Sequence, residues 1–305
     1  MRKLLCLLIA FCLLALCSCE VQETYGEFTD DLGRGVYLCA DDKVAACHAS
    51  FADCWLLSGG ELVGVTADAV DEHRLEVGSA KIIGTPKSLD LEALISSGAT
   101  AVLLSADLAA HLELEDALKR IGITCVYLRV DNFQDYSRVM ELFCRINGGE
   151  ELYRKHVTEV GERIEKILSS IPQNEERSVL LMRAYSSGIK AKHDDNLAGQ
   201  ILGEFGLFNI ADEHPSMLED MSLEHIVATD PDAIFVLTMG NEAAARAYLE
   251  SNIESNPAFS GLTAVKNGNY YMLPKELFHY KPNERWDESY EYLAKILYPS
   301  VFTED

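Results

Sequence analysis

The sequence predicts an α/β protein of two lobes, each built around a parallel-rich sheet, with one long helix joining them. Short apolar runs alternate with helical patterns along most of the chain, which is typical of βαβ units and a parallel sheet. A stretch in the first half has a counterpart in the second half, and a charged helical segment separates the halves. The chain of 305 residues is also long enough for two domains.

The first half contains four candidate strands with helical patterns between them. Each strand candidate is a short, mostly apolar run, and the helical candidates carry apolar residues at helical spacing. The predicted strands are Lys43–Cys47, Leu62–Val65, Ala101–Ser105 and Thr124–Leu128, and the predicted helices include Phe51–Leu57 and Leu91–Ser97.

The second half repeats this alternation, with predicted strands at Ser178–Arg183, Ala233–Thr238 and Tyr270–Leu273. Here Leu223–Leu237 aligns without a gap on Leu91–Ser105, at an offset of 132 residues. Both stretches run from a helix that begins with Leu-Glu, through a turn, into an apolar strand that begins with alanine. Only three of the fifteen positions are identical, so the match predicts lobes of similar build without establishing common descent.

The segment between the halves has the pattern of a helix. From Gly149 to Ser169, apolar residues recur at near-helical spacing, and three Glu–Lys or Glu–Arg pairs at i,i+4 each add about 0.3 kcal/mol of helix stability. Pro172 then disfavours continuation. Such a helix is about 30 Å long and would join the lobes stiffly, which limits hinge motion. The predicted division is an N-terminal lobe over residues 28–147, a bridging helix over 148–172 and a C-terminal lobe over 173–305.

The N-terminus has the pattern of an export signal. Two basic residues precede an apolar run that ends at Leu16, about 20 Å long as a helix and too short for a hydrocarbon core of about 30 Å. Leu16–Cys19 then resembles a lipobox, the cleavage and lipidation signal of bacterial lipoproteins. The resemblance implies removal of residues 1–18, diacylglycerol on Cys19 and a flexible tether over 19–27. An ordinary secretory peptide cut nearby is the alternative.

Charge and cysteine content narrow the function. The chain has 26 Lys and Arg against 49 Asp and Glu, so its surface would repel the phosphates of nucleic acid. No later segment approaches eighteen consecutive apolar residues, so the rest of the chain is expected to be soluble. Five later cysteines lack the spacing of a zinc site and are expected to be buried as small hydrophobic residues. They are Cys39, Cys47, Cys54, Cys125 and Cys144.

Several short motifs, taken in order, resemble the iron-complex and cobalamin substrate-binding proteins of ABC importers. The similarity covers roughly residues 28–299. No single motif is as specific as a phosphate-binding loop, so the order and spacing carry the resemblance, together with the lipobox and the bridging helix. The motifs are Phe28–Arg34, Gly64–Thr66, Gly84 ahead of Leu91–Glu92, Asp230–Ile234, Ala264–Gly268 and Tyr298–Pro299.

The resemblance implies the class III periplasmic-binding-protein fold, with two Rossmann-like lobes bridged by one helix and modest closure of the cleft between them. It implies a monomeric, non-enzymatic lipoprotein without an intrinsic cofactor, anchored on the outer face of the cytoplasmic membrane. The cargo would be siderophore-bound iron, haem or cobalamin, delivered to the permease dimer and ATPase of an ABC importer. One surface acid per lobe typically docks onto permease arginines. Position-matching gives Asp53 and Glu224, although Asp53 departs from the usual glutamate.

The ligand is expected beyond the carboxyl ends of the strands, where open α/β sheets bind ligands. The loop Leu277–Trp286 is the most chemically dense stretch of the chain. Its aromatic residues would pack against a planar or macrocyclic ligand, and its Arg and Lys would neutralise an anionic iron complex. The predicted ligand-binding residues are His48, Ser50, Asp68, Ser105, Arg183, Tyr185, Lys192, His193, Met239, Phe278, His279, Tyr280 and Arg285.

Some of these side chains could also coordinate the iron of a haem directly. A competing interpretation makes Phe278 and Trp286 core residues and Tyr280 an ordinary hydrogen-bonding residue. No resident metal site is assigned. The candidate axial ligands are His48, His193, His279 and Tyr280, of which His279 and Tyr280 lie in the dense loop.

Two other functions fit the sequence less well. A zinc or manganese carrier of related architecture would need several His and carboxylate ligands converging on one ion, but the histidines are scattered singly. An exported hydrolase should show HExxH, GxSxG or a phosphate-binding loop, and none occurs. Asp194 and Asp195 beside His193 are the remaining candidate ligands for a catalytic metal. The choice among siderophore iron, haem and cobalamin stays open, with a slight preference for an iron complex.

Overall fold

The computed structural model describes residues 25–172, 177–213 and 222–302. The predicted signal peptide and the predicted lipidation site at Cys19 lie outside the described residues. Within them the chain folds into two α/β lobes, each around its own sheet. None of the helices in those three ranges combines the length and apolar character needed to cross a membrane.

The N-terminal lobe is built on a five-stranded parallel sheet with two small antiparallel hairpins beside it. Its strands are β1 (Tyr25–Thr29), β2 (Gly35–Cys39), β3 (Val44–Ala46), β4 (Leu62–Val65), β5 (Lys81–Ile82), β6 (Gly84–Thr85), β7 (Ser88–Leu89), β8 (Ala101–Ser105) and β9 (Thr124–Leu128). The sheet order is β5-β4-β3-β8-β9, while β1 pairs with β2 and β6 with β7. The four strands predicted for this half are confirmed, the first over three residues rather than five.

Helices cover both faces of this sheet, which is why β3 and β8 are buried at every residue. The helices are α1 (Ala49–Leu57), α2 (Ala67–Asp71), α3 (Leu91–Ser97), α4 (Ala109–Leu112), α5 (Glu115–Arg120) and α6 (Phe133–Asn147). The longest, α6, begins where Asn132 accepts a hydrogen bond from the Asp135 N–H at 2.8 Å. It ends at Gly148, whose φ of 70° lies in the left-handed region.

One helical stretch connects the lobes, close to the bounds expected from the sequence. It comprises α7 (Glu150–Tyr153), a π-helical turn (Arg154–Thr158) and α8 (Glu159–Ser170). The π turn was not predicted; such turns insert one extra residue into an otherwise regular helix. Arg163 on α8 forms an ion pair with Asp287 of the C-terminal lobe, which fixes the helix against that lobe.

The C-terminal lobe is built on a mixed sheet. Its strands are β10 (Ser178–Tyr185), β11 (Gly188–Lys192), β12 (Phe208–Asn209), β13 (Ala233–Thr238) and β14 (Tyr270–Met272). The order is β11-β10-β13-β14, and β12 pairs with the start of β10. The three predicted strands are confirmed, but β11 runs antiparallel to β10 after a tight turn that was not predicted.

Seven helices and three short turns of other helix types occur in the described part of this lobe. The helices are α9 (Leu197–Glu204), α10 (Leu223–Thr229), α11 (Glu242–Leu249), α12 (Pro257–Ser260), α13 (Thr263–Lys266), α14 (Lys275–Phe278) and α15 (Trp286–Leu297). The short turns are Ile210–Asp212, Glu250–Glu254 and Asn283–Arg285. The last helix, α15, packs against α8, so the bridging segment and the end of the chain share one core.

The repeated stretch has the same local structure in both lobes. In the first, α3 leads into β8, and in the second, α10 leads into β13. Each strand lies between two parallel partners in its sheet. The aligned residues Gly98 and Asp230 end the two helices in the left-handed region, with φ of 77° and 40°. The predicted similarity of build is therefore confirmed for this unit.

The cysteines behave largely as predicted. Cys47, Cys54, Cys125 and Cys144 are buried, and all five described thiols are free. Cys39 departs from the expectation because it is only partly buried. Its thiol lies 3.4 Å from a carboxylate oxygen of Asp42.

Candidate ligand-binding cleft

The carboxyl ends of the N-terminal strands face a loop of the C-terminal lobe across a cavity of about 380 Å³. A groove of about 430 Å³ beside Arg34 and Lys119 belongs to the N-terminal lobe alone. The interlobe cavity is the candidate site because a ligand there contacts both lobes and carboxyl ends of strands. Its polar lining consists of His48, Asp68, Glu72, His73, Thr85 and Lys87 from one lobe, and His279, Tyr280 and Lys281 from the other.

His48 is fixed at the N-terminus of α1, directly after β3. Its Nδ1 accepts a hydrogen bond from the Ser50 N–H at 3.3 Å. Burial lowers the pKa of His48 to about 4, against the opposing effect of the Asp68 carboxylate, so the ring is neutral at pH 7. A neutral imidazole that accepts at Nδ1 carries its proton on Nε2. His48 therefore presents a hydrogen-bond donor to the cavity.

Asp68 lies in the first turn of α2, after β4. Its Oδ2 accepts a hydrogen bond from the Ala49 N–H at 3.2 Å. Its Oδ1 is buried and has no hydrogen-bond partner among the described residues. Buried polar atoms in native proteins are nearly always paired, so this oxygen is available to a bound molecule.

Tyr280 closes one side of the cavity by contacting the opposite lobe. Its hydroxyl donates to Glu72 Oε2 at 2.7 Å, and its ring centroid lies 4.7 Å from that of His73. The ring centroid of His279 lies 5.2 Å from that of Tyr280. A ligand can enter between the lobes at this point only if the hydrogen bond between Tyr280 and Glu72 breaks.

Basic groups lie on the C-terminal side. Burial, together with the charges of Arg183 and Lys275, lowers the pKa of His279 to about 4. Arg183 lies near the carboxyl end of β10, where its Nε is buried without a hydrogen-bond partner among the described residues. Lys281 pairs with Asp131 at 3.3 Å. Because its Nε has no such partner, Arg183 keeps the capacity to bind an anionic group.

A second contact between the lobes is made by Asn283. It is 1% exposed, and its Nδ2 donates to the Ser50 carbonyl at 3.0 Å and to Asp53 Oδ2 at 2.7 Å. Its φ of 50° is unusual for a residue other than glycine, so the tertiary contacts hold this conformation. Burial raises the pKa of Asp53 to about 6, although the hydrogen bond from Asn283 lowers it.

The expectation of an exposed docking acid is wrong for Asp53. Its carboxylate is partly buried and faces Asn283 of the opposite lobe, because the first turns of α1 form part of the interlobe contact. Glu224 is exposed in the first turn of α10, as a docking acid should be. Its docking role stays a prediction.

Replacing Asp53 by asparagine should stabilise the protein by about 1 kcal/mol near pH 7, because the amide avoids the cost of burying a charge. Its oxygen can still accept the hydrogen bond from Asn283. The folded pKa lies above the ordinary 3.8, so the native state binds more protons than the unfolded state between about pH 4 and 6. Wild-type stability should fall as pH rises through that window. The measurement is the free energy of unfolding in urea at several pH values between about 4 and 6. An equal change of this free energy with pH in the wild type and in Asp53→Asn would contradict the prediction.

Lys192 and His193 do not face the cavity, contrary to the prediction. The chain reverses after Tyr185, so β11 runs back and ends beside the middle of β10. His193 lies still further from the carboxyl edge of the sheet. Lys192 forms an ion pair with Asp195, and the His193 ring contacts Asp194. This position removes His193 as a candidate axial ligand.

Phe278 and Arg285 are also misassigned. Phe278 is 2% exposed and packs against Tyr292 in the core, as the competing interpretation proposed. Trp286 is likewise buried. Arg285 is exposed and donates two hydrogen bonds to the Glu288 carboxylate, at 3.0 and 2.7 Å. Neither Phe278 nor Arg285 lines the cavity.

Arg183 and the remaining predicted residues do not line the cavity. Ser50 is buried, and its carbonyl oxygen accepts from Asn283. Ser105 ends β8, Tyr185 ends β10, and Met239 directly follows β13, so each lies at the carboxyl edge of its sheet. Their contacts with a ligand stay predictions.

Sequence reasoning missed Glu72, His73 and Lys281, and it treated the histidines as unrelated. It considered the residues that directly follow each strand, whereas Glu72 and His73 come one helical turn beyond Asp68. The fold brings histidines from three distant parts of the chain to one cavity. Even so, in the described ranges no three His, Cys, Asp or Glu side chains are grouped so that they could hold a metal ion.

A family model described as periplasmic binding protein matches residues 44–277. The chain belongs to the periplasmic binding protein family. The match spans strands and helices of both lobes and the bridging segment. It confirms the family expected from the ordered motifs.

This periplasmic binding protein is similar to proteins from several bacteria. It is 24% identical over 266 residues to the putative ABC transporter substrate-binding lipoprotein YhfQ of Bacillus subtilis strain 168, with 82% of the chain and 81% of the relative covered. Bacillus subtilis FeuA complexed with ferri-bacillibactin has a TM-score of 0.69 and 18% identity, with 91% and 99% covered. S. aureus IsdE complexed with haem has a TM-score of 0.65 and 14% identity, with 85% and 99% covered. These likenesses confirm the predicted fold.

Proposed function

We propose that this protein captures an iron complex (a siderophore chelate or haem) or cobalamin in the interlobe cavity and delivers it to an ABC importer permease. One observation carries the proposal: residues of both lobes line a single cavity. In its lining, Asp68 Oδ1 is buried without a hydrogen-bond partner among the described residues, and the same holds for Nε of Arg183, whose charge acts on His279. The fold is shared with FeuA, complexed with ferri-bacillibactin, and IsdE, complexed with haem, which supports this cargo class.

The size of the cavity links binding to movement of the lobes. About 380 Å³ is near the lower end for ligand pockets, which hold about 300–1,000 Å³. A cargo larger than the cavity can therefore bind only if the hydrogen bond between Tyr280 and Glu72 breaks. The stiff bridging helix and its ion pair to Asp287 keep that movement small.

The proposed anchor is a diacylglycerol on Cys19. The lipobox-like Leu16–Cys19 and the lipoprotein name of the relative YhfQ support it. Because β1 begins at Tyr25, the tether is shorter than predicted. Residues 19–24 would reach about 20 Å when extended, which keeps the lobes near the membrane surface beside a permease. A wild-type chain that takes up no more labelled fatty acid than Cys19→Ser would contradict the anchor. The proposed mature chain comprises the tether 19–24, in place of the predicted 19–27, the lobe 25–147, the bridging helix 148–172 and the lobe 173–305.

We propose Glu92, in place of Asp53, as the docking acid of the N-terminal lobe. Glu92 and Glu224 hold the same position in the repeated unit, each exposed in the first turn of its helix. An exposed aliphatic residue follows each acid by three positions, on the same helix face: Ile95 is 53% exposed and Val227 40%. Two matched acid–aliphatic patches fit a permease of two like subunits.

Titration of the mature protein with ferric siderophores, haemin and cobalamin tests the cargo. Quenching of the two tryptophans, Trp55 and Trp286, reports binding. One complex should bind saturably with a Kd of about 1 μM or lower. If haemin is that complex, His279→Ala or Tyr280→Phe should weaken the Soret band. If the protein binds Zn²⁺ or Mn²⁺ and none of the three complexes, this proposal is wrong and the protein is a divalent-cation carrier.

A further inference from the structure

The loop between α14 and α15 makes two kinds of contact with the rest of the protein. Residues 279–281 form its tip, which lines the interlobe cavity. Residues 283–287 form its base, which lies outside the cavity lining. The base is largely held by buried contacts and the tip by exposed ones, so the two parts differ in how readily they move.

Asn283 anchors the base on α1. Its buried side chain donates from Nδ2 to the Ser50 carbonyl at 3.0 Å and to Asp53 Oδ2 at 2.7 Å. Ser50 also serves the N-terminal wall of the cavity, because its N–H donates to Nδ1 of His48. Asn283 therefore connects the loop to the residue that orients His48, and losing its amide would leave the Ser50 carbonyl without this donor.

Two neighbouring residues add to the contacts of the base. The ring of Trp286 is 1% exposed, and its centroid lies 6.3 Å from that of Phe133 on α6, in an edge-to-face arrangement. The Glu284 carboxylate contacts Nδ1 of His156, a buried residue of the π turn. The base thus contacts α1, α6 and the bridging segment together.

The tip is held by contacts that water can replace. The Tyr280 hydroxyl donates to Glu72 Oε2 at 2.7 Å in an exposed position. Lys281 pairs with Asp131 at 3.3 Å, with both side chains partly exposed. Exposed contacts of this kind add little stability. The tip can therefore leave the N-terminal lobe at a lower cost than the base can.

The tip lies between two fixed points of the backbone. Phe278 ends α14 in the core, and Pro282, whose ring fixes φ, leads into Asn283 with a φ of 50°. We propose that Asn283 is a positioning residue and the pivot of the cleft: it holds the base on α1 while the tip swings away from Glu72 to admit the cargo. This inference rests on the proposed function and places the required movement in three residues of one loop.

Hydrogen exchange of backbone amides in the mature chain without cargo, followed by NMR, tests the pivot. The N–H groups of His279 and Tyr280 in the tip, and of Arg285 and Trp286 in the base, all donate to backbone carbonyls, so a difference in exchange reports movement. The tip amides should exchange at least about tenfold faster than the base amides, after correction for intrinsic rates. Equal rates would overturn the pivot. Because no cargo is used, this failure is distinct from failure of the proposed function.

Three variants separate the tip from the base. Glu72→Ala should speed exchange of the tip amides only. Asn283→Gly should speed exchange in the base by at least about tenfold, because glycine adopts a φ of 50° freely and only the amide contacts are lost. Asn267→Gly, the same change in an exposed turn before β14, is the control and should leave both parts unchanged. An unchanged base in Asn283→Gly would overturn the anchoring role of Asn283.

Asn283→Asp adds a readout that loss of structure alone does not give. At pH 8 the new carboxylate would face that of Asp53, so the base amides should exchange as fast as in Asn283→Gly. At pH 5, below the Asp53 pKa of about 6, the two carboxyl groups can share a proton, and protection of the base should return by about tenfold. The Glu284 charge also acts on Asp53, whereas burial raises the pKa of Cys54 and Tyr136, so neither titrates in this range. No return of protection at pH 5, or an equal return in Asn283→Gly, would overturn the hydrogen bond to Asp53 as the basis of the anchor.

Discussion

Replacing both Glu92 and Glu224 by arginine should abolish cargo uptake and leave the affinity for cargo unchanged. Both carboxylates are exposed, and neither lines the interlobe cavity. On a permease that presents arginines, the new side chains would meet like charges. Such contacts cost several kcal/mol, so docking should weaken by at least about a hundredfold.

Uptake of labelled cargo by cells with equal surface amounts of each variant measures this effect. The single replacements Glu92→Arg and Glu224→Arg should impair uptake to a similar extent, because the two positions are equivalent in the repeated unit. Glu250→Arg, another exposed acid, is the control and should transport normally. Normal uptake by the double variant would contradict the docking proposal.

Replacing Arg183 by glutamate should weaken binding of an anionic iron complex by at least about a hundredfold, since breaking a buried charged contact costs about 2–5 kcal/mol. Arg183 is a partly buried cation near His279, and its Nε has no hydrogen-bond partner among the described residues. The new carboxylate would repel the same cargo group that the guanidinium attracts. Fluorescence titration of the purified variant measures the change.

Arg285→Glu is the matched control for this variant. Arg285 is exposed and already paired with Glu288, so its replacement should leave cargo affinity within about twofold. Arg183→Glu should also raise the pKa of His279, because Arg183 now lowers it. Equal affinities of the two variants would show that the cargo does not depend on Arg183.

The strands and helices could be predicted because they depend on local sequence. Ala101–Ser105 and Ala233–Thr238 are continuous apolar runs, and the structure has them as strands residue for residue, buried throughout. The bridging helix was predictable for the same reason, from helical spacing and i,i+4 charge pairs. The π turn at Arg154–Thr158 leaves no comparable signal in that spacing.

The site depended on tertiary structure and was only partly predictable. Asp68, His279 and Tyr280 were found because they directly follow or flank elements that end at the cavity. Lys192 and His193 were misplaced because a tight turn sends β11 away from the carboxyl edge. The partly buried position of Asp53 also depends on the tertiary structure, through the contact with Asn283.

The position of Glu92 shows what an internal repeat can add. Its equivalence to Glu224 was present in the aligned stretches of sequence, 132 residues apart. Position-matching to distant family members led instead to Asp53. Equivalent positions in two similar lobes are a second guide to docking residues, because the same local fold presents both side chains in the same way.

Location of the metal in crystals of the protein with its bound complex tests the interlobe site most directly. Anomalous scattering at the absorption edge of iron, or of cobalt for cobalamin, should give one peak in the cavity between Asp68 and His279. The Tyr280–Glu72 contact should be longer than 2.7 Å in that crystal if the cargo exceeds the cavity. A peak in the N-terminal groove beside Arg34 and Lys119, with the interlobe cavity empty, would contradict the site.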